Sequence, residues 1–288
     1  MELLQLTYFC NAAQTENFSR TAENFSVPPS DISQSVKRLE KELGAELFVR
    51  HANSIKLNEK GRSFYEKAVK ALSLIDDAKA EISDVGERGV LNICINTNRR
   101  IIMQTIEKFR HKYPEVDIYT KNGADYTAEK FDLIIDNEYP ESSNYKVTKL
   151  MRENISLALK RDDPLATMDT LDIKALASRP FVTMPQSQSL FKLTLEICHS
   201  LGFTPHIAVQ SDDPFYVRKC VELGLGVAFV PEVSWRGQIS ENICLIRIAG
   251  CVRDTYLFFD KTRYMHKSAL EFQKMLIDEF EKENNQNS

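Results

Sequence analysis

Polar side chains recur at intervals of one or three residues along the segment PPSDISQSVKRLEKELGAELFVR, which runs from 28 to 50. Hydroxyl, amide and cationic groups can hydrogen-bond to the base edges and phosphates of duplex DNA. A helix with these groups on one face is expected to lie in a major groove, although the solvated face of an ordinary three-helix bundle has the same pattern. The residues assigned to this face are Pro29, Ser30, Ser33, Gln34, Lys37 and Arg38.

The opposite face of the same segment is apolar. Ile32, Val36, Leu39 and Leu43 fall at i, i+4, i+7 and i+11, which places them on one stripe of a helix. The proline at 29 suits the first helical position, and the glycine at 44 suits a left-handed C-terminal cap. The pattern predicts an amphipathic helix of about 14 residues whose apolar stripe faces a small core.

Two shorter helices are predicted before this one. Apolar residues between 3 and 14 have helical spacing, and FSRTAENF from 18 to 25 follows with Ser19 as its expected N-cap. A link of four residues, 26 to 29, then leads into the third helix. A short helix, a tight turn and a second helix form the helix-turn-helix arrangement of DNA-binding proteins.

The segment LFVRHANSIKLNEKG, from 47 to 61, is predicted to form strand, turn and strand, followed by an asparagine cap at 58. Such a hairpin forms a wing beside the third helix, and wings of this kind contact the DNA backbone. The wing residues expected to do so are Arg50, His51, Asn53 and Lys56.

A long helix is predicted after the wing, because 58 to 85 contains no proline and a single glycine near its start. Its apolar residues alternate spacings of four and three, which is typical of a seam between paired helices. The seam residues are Phe64, Ala68, Ala71, Ile75, Ala78, Ile82 and Val85. The seam predicts a homodimer, and dimers could pair further into tetramers.

Composition alone gives no sign of nucleic-acid binding. The formal net charge is -4, and the first sixty residues hold seven Lys and Arg against eight Asp and Glu. The prediction of a DNA surface therefore depends on where the cations lie. No apolar run reaches the roughly eighteen residues of a membrane helix, and no signal peptide is recognisable, so we expect a cytoplasmic protein without membrane contact.

The six cysteines and five histidines show no metal-ligand or disulfide spacing. We expect no metal and interpret the cysteines as small buried apolar residues, with Cys251 as the alternative case of a reactive thiol.

The segments FSRTAENFSVPPSDISQSVKRLEKELGAELFVR and KLNEKG resemble the winged helix-turn-helix of LysR-type transcriptional regulators. The resemblance extends, with less specific motifs, over the whole chain. Departures include Thr21 for a usual alanine, Pro28 for a usual Ser or Thr cap, the added charge of Asp31, and Gln34 where relatives often carry arginine. The positions that match are Ala22, Phe25, Ser33, Val36, Leu39, Glu40, Leu43, Gly44, Leu47, Phe48, Arg50, Leu57 and Gly61.

Strands and helices alternate after GERGV at 86 to 90, which predicts parallel α/β layers. The motifs YPEV, FDLIID and ELGLGVAFVP resemble landmarks of the family's effector domain, which has two lobes and is similar to periplasmic binding proteins. Only about ten residues separate VDIYT from FDLIID, too few for the helix usual there. The expected boundaries are 1–58 for the DNA-binding domain, 59–88 for the linker helix and 89–288 for the effector domain. Within the last, lobe one covers about 89–158 plus 266–288, and lobe two about 159–265.

Two loops follow strands and open helices, the place where α/β layers bind ligands. They are NTNRR at 96 to 100 and QSQS at 186 to 189, and their helix dipoles favour an anion such as a carboxylate. Ordinary helix capping, or apolar core packing for the phenylalanine, is the alternative interpretation. The residues expected to contact an effector are Asn96, Thr97, Asn98, Gln186, Ser187, Ser189 and Phe229.

The sequence thus predicts a DNA-binding regulator controlled by a small-molecule effector. Two alternatives stay open: a constitutive regulator without an effector, and a cytoplasmic solute-binding protein. An enzyme is disfavoured, because no G-x-G-x-x-G, P-loop, H-E-x-x-H or G-x-S-x-G motif occurs. We therefore expect no catalytic residues and no cofactor.

Overall fold

A computed structural model describes residues 1–50, 54–83, 86, 88–123, 126, 129–167 and 172–286. The chain divides into two compact units, Met1–Ser83 and Asp84–Ser288.

The first unit consists of helices packed with a small hairpin. Its two strands pair antiparallel, with Phe48 opposite Leu57, as the wing prediction required. The elements are α1 (Leu3–Thr15), α2 (Phe18–Phe25), α3 (Pro29–Leu43), β1 (Phe48–Arg50), β2 (Ile55–Leu57) and α4 (Glu59–Ser83).

The apolar stripe of α3 forms much of this unit's core. Ile32, Val36 and Leu39 are fully buried, whereas Leu43 is 38% exposed and so lies at the edge of the predicted stripe. The helix ends at Gly44 in the left-handed conformation (φ 63°), which a glycine adopts without steric cost.

The cap of α2 differs from the prediction. Asn17 is the N-cap, and its side-chain oxygen accepts hydrogen bonds from the backbone N–H groups of Ser19 and Arg20 at 2.8 and 3.1 Å. Ser19 therefore lies inside the helix and is not its cap. A cap at Ser19 would instead serve the N–H groups of Thr21 and Ala22, two residues further along the helix.

The beginning of α4 is fixed by close backbone packing. Asn58 caps the helix by accepting a hydrogen bond from the Gly61 N–H at 2.8 Å, as predicted. A Cβ atom at Gly61 would lie 2.0 Å from the carbonyl oxygen of Leu47, so only glycine fits this approach.

The predicted seam of α4 has two parts. Phe64 and Ala68 pack into the core of their own unit. Further along the helix Ile82 is 89% exposed and Leu74, beside the seam, 61% exposed. The seam available to another chain therefore begins after Ala68, and its last predicted member, Val85, lies outside the described residues.

The second unit is an α/β structure with a mixed sheet of six strands in the order β4-β3-β5-β10-β6-β9. Strand β3 pairs parallel with β4 and β5, while β10 and β6 pair antiparallel with their neighbours. Among the described residues, the parallel pairing predicted from the sequence is thus found in β3–β5, in the pair β7 and β8, and in a single bridge between Phe181 and Val227. The strands are β3 (Arg88–Ile95), β4 (Glu115–Lys121), β5 (Leu133–Asp136), β6 (Tyr145–Lys160), β7 (Pro180–Thr183), β8 (His206–Gln210), β9 (Ala228–Pro231) and β10 (Ile243–Asp260).

The helices of this unit cover both lobes. Helices α5 and α7 begin directly after the two loops that the sequence predicts to bind a ligand. The helices are α5 (Arg99–Lys112), α6 (Ile173–Ala177), α7 (Ser189–Ser200), α8 (Pro214–Glu222) and α9 (Lys267–Asn285), with a 3-10 helix at Pro164–Thr167.

Strands β6 and β10 connect the two lobes. Leu257 packs in the lobe-one core with Phe109 and Phe272, whereas Ile246 packs in the lobe-two core with Phe181. The stretch 256–258, which the sequence assigned to lobe two, pairs with β5 and so belongs to lobe one. The chain returns to lobe one inside β10, because that strand is long enough to pass through both cores.

We predict that Leu39→Ala destabilises the first unit by about 2 to 5 kcal/mol, because it leaves a cavity in a small core. Far-UV circular dichroism during urea unfolding measures this loss. The single tryptophan, Trp235, lies in the second unit, so its fluorescence follows that unit separately. Leu43→Ala, on the same helix but 38% exposed, is the control and should cost much less. Equal losses for the two variants would contradict the assigned core.

Candidate functional site

The polar face of α3 is accessible within the chain. Gln34, Lys37 and Arg38 are exposed, and so are the prolyl and seryl residues at 29 and 30, while Ser33 is half-buried. None of the core residues of the unit comes from this face. The arrangement leaves amide, hydroxyl and cationic groups free to contact a partner.

The N-terminus of α3 has no side-chain cap. Its N-cap residue is Pro28, and the hydroxyl of Ser30 hydrogen-bonds to the carboxylate of Asp31 at 3.3 Å instead of to the backbone. First-turn N–H groups without a protein acceptor attract anions such as phosphates. The negative charge of Asp31 partly opposes that attraction.

Arg50 of the wing has a structural partner. Its Nη2 lies 2.9 Å from a carboxylate oxygen of Glu40, and its guanidinium lies 5.6 Å above the ring of Phe18. The other carboxylate oxygen of Glu40 accepts a hydrogen bond from the Leu47 N–H at 2.8 Å. Arg50 therefore helps to join the wing to α3. Lys56 is exposed, whereas His51 and Asn53 lie outside the described residues.

A pocket of about 580 Å³, including its open mouth, lies between the two lobes of the second unit. Lobe one contributes the predicted residues Asn96, Thr97 and Asn98, and lobe two contributes the predicted Ser189. Further lining residues, which the sequence did not predict, are Arg99, Arg100, Met184, Gln188, Leu190, Pro214, Ser234, Trp235, Gln238 and Arg253.

Three predicted effector residues are not in this pocket. Gln186 and Ser187 are exposed and precede the residues of their loop that line it. Phe229 is 1% exposed and packs in the lobe-two core against Phe181, with ring centroids 5.7 Å apart. The interpretation of Phe229 as apolar core is therefore the correct one.

Two helix N-termini open toward the pocket. Helix α5 has Asn98 as its N-cap in the left-handed conformation (φ 54°), α7 has Gln188, and neither residue makes a side-chain cap hydrogen bond. Asn98 Nδ2 donates to Thr255 Oγ1 at 2.6 Å. Because that side chain is turned away from the helix, the first N–H groups of α5 lack a side-chain acceptor.

Thr97, two residues before α5, has a hydroxyl group without a hydrogen-bond partner in the described part of the chain. The residue is 5% exposed, lines the pocket, and its Oγ1 has no hydrogen-bond partner among the described residues. A buried hydroxyl without a partner costs free energy of about 1 to 3 kcal/mol. A ligand atom in the pocket would remove that cost.

A buried carboxylate binds residues that line the pocket. The side chain of Glu153 is fully buried and lies 2.8 Å from Arg253 Nη2. It also accepts hydrogen bonds from the N–H groups of Val233 and Ser234 at 3.0 and 2.8 Å. The Ser234 hydroxyl in turn contacts Asn98 Oδ1 at 2.7 Å. The network joins β6, β10, the loop after β9 and the start of α5.

Asp136 is a second carboxylate near this site, but it does not line the pocket. Its Oδ2 accepts a hydrogen bond from Asn96 Nδ2 at 2.6 Å, and burial raises the pKa of its carboxyl group. Asn96 lines the pocket, but both ends of its amide are engaged, because its Oδ1 also accepts a hydrogen bond from the Gly123 N–H at 2.9 Å.

Three of the six cysteines, Cys10, Cys94 and Cys198, are buried as predicted, whereas Cys220, Cys244 and Cys251 are half-buried. Burial raises the pKa of Cys10 to about 11 and that of Cys198 to about 12, and it also raises the pKa of Cys251. A high thiol pKa leaves little thiolate to react. No group of metal-ligating side chains occurs among the residues that the structure describes. Across those same ranges, no helix has the length and apolar character to span a bilayer.

Comparison with known proteins gives the two units a family. A model described as "Bacterial regulatory helix-turn-helix protein, lysR family" matches residues 3–62, and one described as "LysR substrate binding domain" matches residues 85–281. The chain belongs to the LysR family of transcriptional regulators. Its relatives in this family include the transcriptional dual regulator GltC of Bacillus subtilis, which is 28% identical over 98% of both chains. The regulator ShiR of Corynebacterium glutamicum is 29% identical over 79% of this chain and 82% of its own.

Solved structures of LysR-type regulators share the fold. Full-length OxyR from Pseudomonas aeruginosa, a variant form, superimposes with a TM-score of 0.70 at 20% identity, over 97% of this chain and 94% of that one. Full-length CbnR in complex with its target DNA gives a TM-score of 0.54 at 19% identity, over 97% of this chain and 100% of that one. This LysR-type regulator therefore has the helix-turn-helix and the mixed α/β substrate-binding domain of the family.

We predict that Glu153→Gln destabilises the second unit by about 3 to 5 kcal/mol, because it leaves Arg253 buried without its counter-charge. Urea unfolding followed by Trp235 fluorescence measures the effect. The control is Glu138→Gln, which breaks an ion pair with Lys192 whose side chains are 60% and 55% exposed. This change should cost less than about 1 kcal/mol. A loss as small for Glu153→Gln would mean that the network contributes little.

Proposed function

We propose that the exposed face of α3 binds promoter DNA in the major groove and reads its sequence. The observation that carries this proposal is the exposure of Gln34 and Lys37 on a helix whose opposite face is buried from Ile32 to Leu39. Lys37 and Arg38 supply positive charge for phosphates, and Ser33 and Gln34 supply groups for base edges. Since its target is chromosomal DNA, the proposed place of action is the cytoplasm.

The wing is proposed to contact the adjacent DNA backbone through Lys56. Arg50, by contrast, is assigned to holding the wing, because Glu40 engages its guanidinium. His51 and Asn53 remain proposed wing contacts on sequence grounds alone. The complex of CbnR with its target DNA supports DNA binding by a chain of this fold, while the individual contacts proposed here follow from the exposure and charge of the residues named.

We also propose that the chain acts as a homodimer joined through the far half of α4. Ala71, Ile75, Ala78 and Ile82 continue the alternating spacing beyond the residues that pack into their own unit. Two recognition helices held by one rigid pair match two half-sites on DNA. Pairing of such dimers into tetramers is compatible with this seam.

The pocket between the lobes is proposed to bind a small anionic effector, such as a carboxylate. The N-termini of α5 and α7 both open on it without side-chain caps, and the hydroxyl of Thr97 lacks a partner among the described residues. Helix N-termini stabilise negative charge. The effector controls DNA binding if it binds one arrangement of the lobes more tightly than another.

Fluorescence anisotropy with the regulator's own promoter DNA tests the DNA-binding proposal. Lys37→Ala should reduce the slope of log affinity against log salt by about 1.8 in the proposed dimer, because each of the two protomers loses one phosphate contact at about 0.9 per contact. Lys274→Ala, which removes an exposed charge from α9, is the control and should leave the slope unchanged. Affinity for the promoter no higher than for random DNA would contradict sequence-specific binding.

Sedimentation velocity tests the dimer. Replacing both Ile75 and Ile82 by Glu should convert dimers to monomers, because carboxylates would be buried along the seam. Lys70→Glu changes the charge of the same helix at an exposed position off the seam and should leave the dimer intact. A dimer that survives the double replacement would assign the contact to another surface.

A further inference from the structure

The two sides of the pocket between the lobes differ in chemistry. Lobe one contributes amide, hydroxyl and guanidinium groups, beginning with Asn96, Thr97 and Asn98. A ligand in the pocket therefore meets hydrogen-bonding groups on one side and an apolar wall on the other. Among the described residues, every apolar side chain that lines the pocket comes from lobe two, and these residues are Met184, Leu190, Pro214 and Trp235.

The apolar wall is the part of the lobe-two core that reaches the pocket. Met184, Leu190 and Trp235 pack in one buried cluster and are 7%, 3% and 8% exposed, so each presents a small area. The indole ring of Trp235 is also held by Arg218, whose guanidinium lies 5.0 Å from the ring centroid. A fixed apolar wall of small area fits a short apolar group and disfavours a polar one, which would lose its hydrogen bonds to water there.

Hydrogen-bond donors without a side-chain partner lie together at the start of α5. The amides of Asn96 and Asn98 are engaged at both ends, and Arg253 is paired with Glu153. By contrast, the hydroxyl of Thr97 has no partner among the described residues, and the first N–H groups of α5 have no side-chain cap. These donors suit the oxygens of a carboxylate.

We propose that the effector is a short-chain carboxylate, with its carboxylate at the start of α5 and its apolar chain against Trp235, Met184 and Leu190. This inference rests on the proposed function of the pocket as an effector site and names the class of molecule that the site selects. A chain of this kind contacts both lobes, whereas acetate contacts lobe one alone. Each further CH2 group buried against the wall strengthens binding about fourfold.

Acetate, butyrate, γ-hydroxybutyrate and n-butanol test this assignment in the full-length chain. NMR titrations at constant ionic strength give the dissociation constants. Butyrate adds two CH2 groups to acetate and should bind about fifteenfold more tightly. The hydroxylated chain places a polar group against the wall and should lose that gain. Butanol keeps the chain but lacks the carboxylate, and it should bind about tenfold more weakly than butyrate.

Two variants connect the result to the wall. Trp235→Phe leaves room for a longer chain, so the affinity of hexanoate relative to butyrate should rise about tenfold. General damage to the pocket would weaken both ligands and leave that ratio unchanged. Met184→Gln makes the wall polar with little change of shape, and it should lower the butyrate-to-acetate affinity ratio about fourfold. Met103→Gln is the control, because it makes the same change at a 45% exposed residue outside this pocket.

The outcomes separate this inference from the proposed function. If acetate binds but butyrate binds no more tightly, or γ-hydroxybutyrate equals butyrate, the apolar wall does not select the effector, although an anion site is still supported. If none of the carboxylates binds, the proposed effector site is wrong as well, while anisotropy decides promoter binding separately. An unchanged hexanoate-to-butyrate ratio in Trp235→Phe, folded by circular dichroism, overturns the role of Trp235. Should either variant unfold, the comparison of the four ligands on the unchanged chain decides.

Discussion

The buried carboxylate of Glu153 is the constraint on which the ligand-binding unit depends. A fully buried negative charge is stable only with several donors, and this one has the guanidinium of Arg253 and two backbone N–H groups. Because Arg253 is on β10 and Glu153 on β6, the network fixes the two strands where they pass between the lobes. It also holds Asn98, so the start of α5 is positioned by the same charge.

The DNA-binding unit depends on a simpler rule, the division of α3 into a buried and an exposed face. Much of this unit could be predicted from the sequence, because its signals are local: apolar spacing, a proline at the helix start and a glycine at its end. The errors were also local. Asn17 and Ser19 both lie at the start of α2, and the sequence alone does not show which of them caps it. Leu43 was predicted to be buried but is 38% exposed, because the core ends one turn earlier.

The pocket between the lobes, the candidate ligand site, could be predicted only in part. The loop at 96 to 98 was found because a polar loop between strand and helix is a local pattern. Glu153 and Arg253 are one hundred residues apart in the sequence and lie on two paired strands of the sheet. No spacing in the sequence predicts that contact. Phe229 was misplaced because its strand ends near the pocket while its side chain points into the core.

The two lobes contact each other beside the pocket that is proposed to bind the effector. Ser189, at the start of α7, hydrogen-bonds to Asn137 of lobe one at 2.9 Å, and Arg253 Nη1 approaches the same amide oxygen at 3.4 Å. An anion that contacts the N-termini of both α5 and α7 gains both interactions only when the lobes hold these helices around one space. It therefore binds that arrangement more tightly than any other, which is the differential affinity that a ligand needs to shift a conformational equilibrium.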